Sequence, residues 1–193
     1  MSADLINESH LLQQANLGSS EALNILLDKY KNQAYSMALS IVRIEADAED
    51  VVQNAFIKVF RHLHEFKKES KFSTWLYRIV YNESMRFIRM NRRFLNQETD
   101  LTETDMSHYV VNDALSRLLA DERKRLIRQA MQKLSGSEYT ILTLFYLEEK
   151  SIRELKQITG FTKANIRVIL HRARKRLYQT LNTMLQQEVT SIL

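Results

Sequence analysis

The chain contains no cysteine, no proline and only three glycines among its 193 residues. The missing cysteine removes disulfides, thiolate metal sites, cysteine nucleophiles and thiol redox sensing together. Tight turns rely on proline and glycine; average usage would supply roughly ten and thirteen of them, so a sandwich or barrel is excluded. No apolar run reaches the roughly eighteen residues that a membrane span needs. The first ten residues, Met1 to His10, are polar and acidic, unlike a signal peptide. A soluble, intracellular, all-α protein is the expectation that remains, without direct membrane insertion and located in the cytoplasm.

The hydrophobic share of 45% and charged share of 26% are those of a folded globular chain. The net charge of +5 is unevenly distributed. Residues 1–60 carry a net −4, 61–93 a net +6, 94–122 a net −6 and 123–193 a net +9. Two basic blocks flank an acidic one, which favours two nucleic-acid surfaces over a run of solvated faces. The acidic stretch 94–113 (FLNQETDLTETDMSHYVVND) lacks helical periodicity and reads as a flexible linker. The expected organisation is therefore two small helical domains, 1–93 and 114–193. Helices are expected at about 4–16, 20–42, 46–64 and 73–92, then at about 114–133, 137–148, 151–159 and 162–186. Ser19 or Ser20, Ser73, Thr74, Ser137 and Ser151 are candidate N-caps, and Gly160 a helix-ending glycine.

The segment Ser151 to Leu177 has the helix, glycine-containing turn and longer helix of a helix-turn-helix. On the last helix Ile166, Ile169, Leu170, Ala173 and Leu177 share the face that must pack inward. The opposite face carries Asn165, Arg167, Val168, His171, Arg172 and Lys175, with Lys163, Arg174 and Arg176 on its flanks. Six Lys/Arg and no acid occur between Thr162 and Arg176. A merely solvated helix mixes signs to gain i,i+4 pairs. An unmixed cationic face suits a DNA groove, where Arg and Asn bond base edges and Val168 meets a thymine methyl.

The helix beginning near Phe72 interleaves Trp75, Tyr77 and Tyr81 with Arg78, Asn82 and Arg89. Rings stack on unpaired bases while cations follow the backbone; the same rings could equally be ordinary core aromatics. The preceding loop, Phe66 to Lys71, adds Lys67, Lys68 and Lys71 as a basic clasp for an unstacked base. The acidic start of the third helix, Asp47, Glu49 and Asp50, is explained by the helix dipole before any Mg²⁺ site. His62 and His64 point to different faces and make no metal pair. No nucleophile–base pair is visible, so neither catalysis nor a cofactor, metal or small-molecule substrate is expected.

DAEDVVQNAFIKVFRHL, KFSTWLYRIVYNESMRFIR and SIRELKQITGFTKANIRVILHRARKRL, in that order, resemble the conserved regions 2 and 4 of bacterial RNA polymerase sigma factors. The specific likeness is to the small extracytoplasmic-function (ECF) type. The resemblance implies a non-catalytic protein that binds core RNA polymerase and directs it to promoters. Asp47, Asp50, Val51, Gln53, Asn54 and Phe56 would dock on a coiled coil of the largest catalytic subunit, and the flap region of the polymerase is a further implied partner. The loop and helix carrying Lys67, Lys68, Lys71, Trp75, Tyr77, Arg78, Tyr81, Asn82 and Arg89 would recognise and open the minus-ten element. The last helix would read the minus-thirty-five element, and an anti-sigma factor would mask the polymerase-binding surfaces. The competing readings are an autonomous helix-turn-helix regulator with an N-terminal dimerisation or sensing domain, and a metal-dependent enzyme built on the Asp47 cluster.

Overall fold

The computed structural model describes residues 2–91 and 120–191, and every regular element among them is helical. The N-terminal half runs α1 (Ser2–Asn16), α2 (Ser20–Val42), α3 (Glu45–His62), a 3-10 turn (Leu63–Glu65) and α4 (Phe72–Asn91). The C-terminal half runs α5 (Ala120–Gln132), α6 (Gly136–Tyr146), α7 (Ile152–Thr159) and α8 (Lys163–Ser191). The expected linker at 94–113, and the expected start of the fifth helix, lie outside the described residues.

Local chemistry accounts for the boundaries. Ser19 caps α2, accepting from the Ala22 N–H at 3.2 Å. Acidic Glu45 and Asp47 occupy the first turn of α3, and Arg61 and His62 the last, both matching the helix dipole. The start of α6 departs from expectation: Ser135, not Ser137, is the cap. It forms a capping box with Glu138, as Ser151 does with Glu154 at α7. Gly160 ends α7 at φ 76, a left-handed conformation that side chains with a Cβ resist. Thr162 then starts α8 by accepting from the Asn165 N–H at 3.1 Å.

In the N-terminal half, α3 buries Ala48, Val51, Val52, Ala55 and Val59 at helical spacing. These pack with Leu26, Met37, Phe72, Leu76 and Val80 from α2 and α4. In the C-terminal half, Leu126 and Ala130 of α5 close over Leu181 and Leu185, far along α8.

The halves are not held apart. Ile141 and Leu144 of α6, Leu155 and Ile158 of α7, and Ile166 and Leu170 of α8 belong to the same apolar cluster as the N-terminal core. Helix α7 lies on α4, and α6 on α2. The last six side chains are each worth about 1.5–3 kcal/mol when fully buried. Their pattern predicts burial; it does not say against what. The two helical modules thus meet through a shared apolar contact in this arrangement.

Candidate nucleic-acid interface

Three faces carry the residues singled out by sequence. The first is the helix-turn-helix. On α8, Lys163, Asn165, Arg167, Val168, His171 and Arg172 are all exposed, while Ile166, Leu170 and Ala173 point inward. The inward stripe is held by the interior, so the outward one projects from a rigid support, as a groove-reading helix requires. Lys175 is half-buried. The flanking cations differ from expectation. Arg176 pairs with buried Glu138 at 2.7 Å. The Arg174 Nε–H donates to the Leu170 carbonyl at 3.1 Å, and its guanidinium reaches the Tyr146 hydroxyl at 3.4 Å. Arg176 braces α8 against α6 through this ion pair.

The second face is α4 with its preceding loop. Lys67, Lys68, Lys71, Arg78, Asn82 and Arg89 are exposed. Arg86, which sequence reasoning missed, continues the Arg78–Asn82 row by one i,i+4 step and is exposed as well. The rings tell another story. Tyr77 is 0% exposed and Tyr81 5% exposed. Tyr77 packs edge-on against Tyr30 at 6.0 Å and donates its hydroxyl proton to Glu148 Oε2 at 2.9 Å. Burial and the Glu148 carboxylate push its pKa far above the usual tyrosine range. Tyr81 lies against Phe161, 6.3 Å away, from the helix-turn-helix. The expected stacking surface at Tyr77 and Tyr81 is therefore covered in this arrangement: Tyr77 is a core ring, and Tyr81 is roofed by the other half. Ser73 and Thr74 also depart from expectation, since they bond to the C-terminal half rather than cap α4. The Lys150 ammonium donates to Ser73 Oγ at 2.6 Å, and the Thr74 hydroxyl to Glu154 Oε1 at 3.1 Å.

Trp75 is half-buried and stacks obliquely on Phe66 at 5.3 Å. Together with Lys67, Ser70 and Arg78 it lines a cavity of about 180 Å³. That is smaller than the roughly 300–1,000 Å³ of drug-sized sites, a scale that suits a single base. Of the loop's three lysines only Lys67 lines this cavity, and Glu65 and Glu69 share the lining with it.

The third face is on α3. Asp50, Gln53 and Asn54 are exposed; Asp47 and Phe56 are half-buried. Val51 is 2% exposed and lies on the inward stripe with Ala48 and Ala55. The outward row instead continues through Ile57 and Phe60, 42% and 63% exposed. Two large apolar side chains thus stand on the outer side of α3. Ile57, i+4 from Gln53 and i+3 from Asn54, and Phe60, i+3 from Ile57, were the available signal.

No group of three or more His, Asp or Glu converges on a cation position among the described residues. Nor is any described helix long and apolar enough to cross a membrane.

These features define an all-helical protein with a helix-turn-helix module and a second, cationic–aromatic module. The Sigma-70 region 2 family matches residues 26–94, and the Sigma-70 region 4 family residues 124–177. The ECF RNA polymerase sigma factor SigW of Bacillus subtilis is 29% identical over 179 residues, covering 90% of this chain and 96% of its own. The ECF RNA polymerase sigma-E factor of Haemophilus influenzae is 29% identical over 180 residues, 90% of this chain and 94% of that one. The fold matches CnrH, solved in complex with the cytosolic domain of CnrY, at a TM-score of 0.61 and 22% identity. That match covers 92% of this chain and 98% of CnrH. It also matches RpoE of Bartonella quintana, solved with the anti-sigma factor NepR, at 0.57 and 22%, covering 78% and 91%. The chain belongs to the ECF RNA polymerase sigma factors.

Proposed function

We propose that this sigma factor divides its work among the three faces. The Asp50–Gln53–Asn54–Ile57–Phe60 row of α3 docks on a coiled coil of core RNA polymerase. The Lys67–Trp75–Arg78 cavity and the Arg78–Asn82–Arg86 row hold the opened minus-ten strand. Arg167, Val168, His171 and Arg172 read the minus-thirty-five duplex. The boundaries 1–93 and 114–193 mark the two working modules, and an anti-sigma factor and the polymerase flap complete the partners. The protein acts in the cytoplasm as an initiation factor and has no catalytic step of its own.

The observation that carries this reading is the outward, acid-free row of α8 beside a buried stripe on the same helix. Strand opening costs a few kcal/mol per flipped base, and stacking on one ring returns about 1–3 kcal/mol. A ring-lined cavity is of the right size to trap the first base. Run-off transcription over a genomic promoter library should yield discrete starts only when this protein and core enzyme are both present. Tight, specific duplex binding with no polymerase would instead favour the autonomous regulator.

A second measurement addresses the reading helix. Arg172→Ala should lower discrimination at the upstream element by about 1–3 kcal/mol, the value of one well-placed base contact. Core binding should stay unchanged. Uniform weakening on all sequences would reassign Arg172 to phosphate.

A further inference from the structure

A cavity of about 620 Å³ opens between α2, α5 and α6 and shares no lining residue with the three faces. Its volume falls within the roughly 300–1,000 Å³ of small-molecule sites. Leu39, Ile127, Met131, Tyr139 and Leu147 form its apolar walls. Ile127 is 39% and Leu147 71% exposed, so part of this wall faces solvent and gains by being covered. The polar groups of the wall are already engaged. The Ser40 hydroxyl donates to the Met37 carbonyl at 2.7 Å, and the Gln132 carbonyl accepts from Arg43 at 3.0 Å.

Arg43, Lys124 and Arg128 stand at the same cavity, against the single carboxylate of Glu45. Arg43 is held there by backbone on both sides. It ends α2 in the left-handed region at φ 70, with its N–H donating to the Leu39 carbonyl at 2.9 Å. A residue with a Cβ is strained in that conformation. Its guanidinium reaches the C-terminal end of α5, where a cation suits the helix dipole, and donates to the Gln132 and Leu134 carbonyls. These acceptors are neutral and engage only part of the guanidinium's donor set, so its charge meets no carboxylate. Arg128 likewise has no carboxylate within ion-pair distance among the described residues. Lys124, one turn before it, meets Asp121 at 4.0 Å with both side chains well exposed, a pair of little strength.

We propose that this cavity binds a small amphiphile with one anionic head and one unbranched apolar tail, of the fatty-acid class. The head lies between Arg43, Lys124 and Arg128, and the tail along Leu39, Ile127 and Met131. A carboxylate accepting from a guanidinium makes a charge-assisted bond, stronger than a neutral one. A tail asks only for apolar surface, and the flexible thioether of Met131 adapts to it. Other occupants fit less well. A heterocyclic base needs polar partners that the wall has already committed, a neutral tail leaves three cations unmatched, and a cationic head is repelled by them. Such a ligand is independent of the polymerase, promoter and anti-sigma roles assigned to the three faces.

The test titrates the full chain with decanoate by isothermal calorimetry at low ionic strength. One molecule should bind with a Kd below about 300 µM, a modest efficiency for a ligand of this size. Decanol and decyltrimethylammonium keep the tail and lose or reverse the charge; each should bind at least about tenfold more weakly, the worth of one charge-assisted bond. Acetate, the head alone, should not bind. The double variant Lys124→Gln/Arg128→Gln removes two exposed cations and should weaken decanoate at least about tenfold while leaving decanol unchanged. Ile127→Glu sets a carboxylate in the wall and should abolish decanoate binding. Circular dichroism checks that helix content is kept. If Ile127→Glu loses it, the double variant decides alone. No saturable binding of decanoate, equal affinity for decanoate and decanol, or undiminished decanoate binding by the folded variants would each overturn the site.

Discussion

Association with core polymerase should fall by at least about 30-fold when Ile57 and Phe60 are both changed to alanine, with the fold unaltered. Interface energy concentrates in a few apolar or aromatic anchors, each worth about 2 kcal/mol or more when truncated, against near-neutral surroundings. Phe60 is 63% exposed, beside the α1–α2 turn, where it lines a small cavity with Gly18 and Ser19. An exposed side chain of that size contributes little to folding, so substitution should stay within about 0.5 kcal/mol of wild-type stability. The informative contrast is Val51, six residues before Ile57 on the same helix and buried. Val51→Asp should also abolish association, but by placing an unpaired charge in the core, at a cost of several kcal/mol. Circular dichroism separates the two outcomes: helix content is kept in the first variant and lost in the second. Undiminished binding by the Ile57/Phe60 pair, measured by fluorescence anisotropy with labelled protein, would remove the α3 row as the docking face.

That contrast also shows what a sequence can carry. Helix boundaries were legible because caps and dipole-matching charges act within one turn: Ser19, Ser151 and Gly160 sit where local chemistry puts them. The orientation of α8 was legible because one stripe is apolar and its opposite is cationic. The faces of α3 were readable in principle, since Val51 and Ile57 differ in angular position, but the docking residues that the family likeness implies all lie between 47 and 56. What stayed hidden was pairing across the chain. Nothing local distinguishes Tyr77 as a stacking ring from Tyr77 as a core ring bonded to Glu148, 71 residues away. Nor does a lysine at 150 announce that its ammonium lies over that ring. Such partners depend on how α6 and α7 spend their second apolar face, a tertiary fact that periodicity does not encode.

Glu138→Ala should destabilise the C-terminal half by about 3 kcal/mol although Glu138 touches none of the three proposed faces. Its carboxylate accepts from the Ser135 N–H at 3.0 Å and the Ser135 hydroxyl at 2.9 Å, and it pairs with Arg176 at 2.7 Å. Losing the reciprocal cap costs about 1 kcal/mol. Removing one partner of a buried ion pair costs about 3–5 kcal/mol; because Arg176 is 32% exposed and its charge can return to water, the cost here is discounted to about 2 kcal/mol. For a domain of about 80 residues, about 3 kcal/mol lowers Tm by roughly 12–24 °C. Glu138→Gln can still accept from Ser135 and should lose about half as much, and Arg176→Met should fall between the two. The double replacement of Glu138 and Arg176 should cost less than the two single losses added, since each removes the same bond. The functional consequence follows from position. Glu138 stands on α6 and Arg176 on α8, so their bond fixes the tilt of the reading helix against the module that carries it. Upstream discrimination should therefore weaken in Glu138→Ala at temperatures where the domain is still folded, while single-strand binding through α4 does not. Additive single and double losses, or unchanged discrimination in a folded Glu138→Ala, would show that the tilt of α8 is set by its apolar stripe alone.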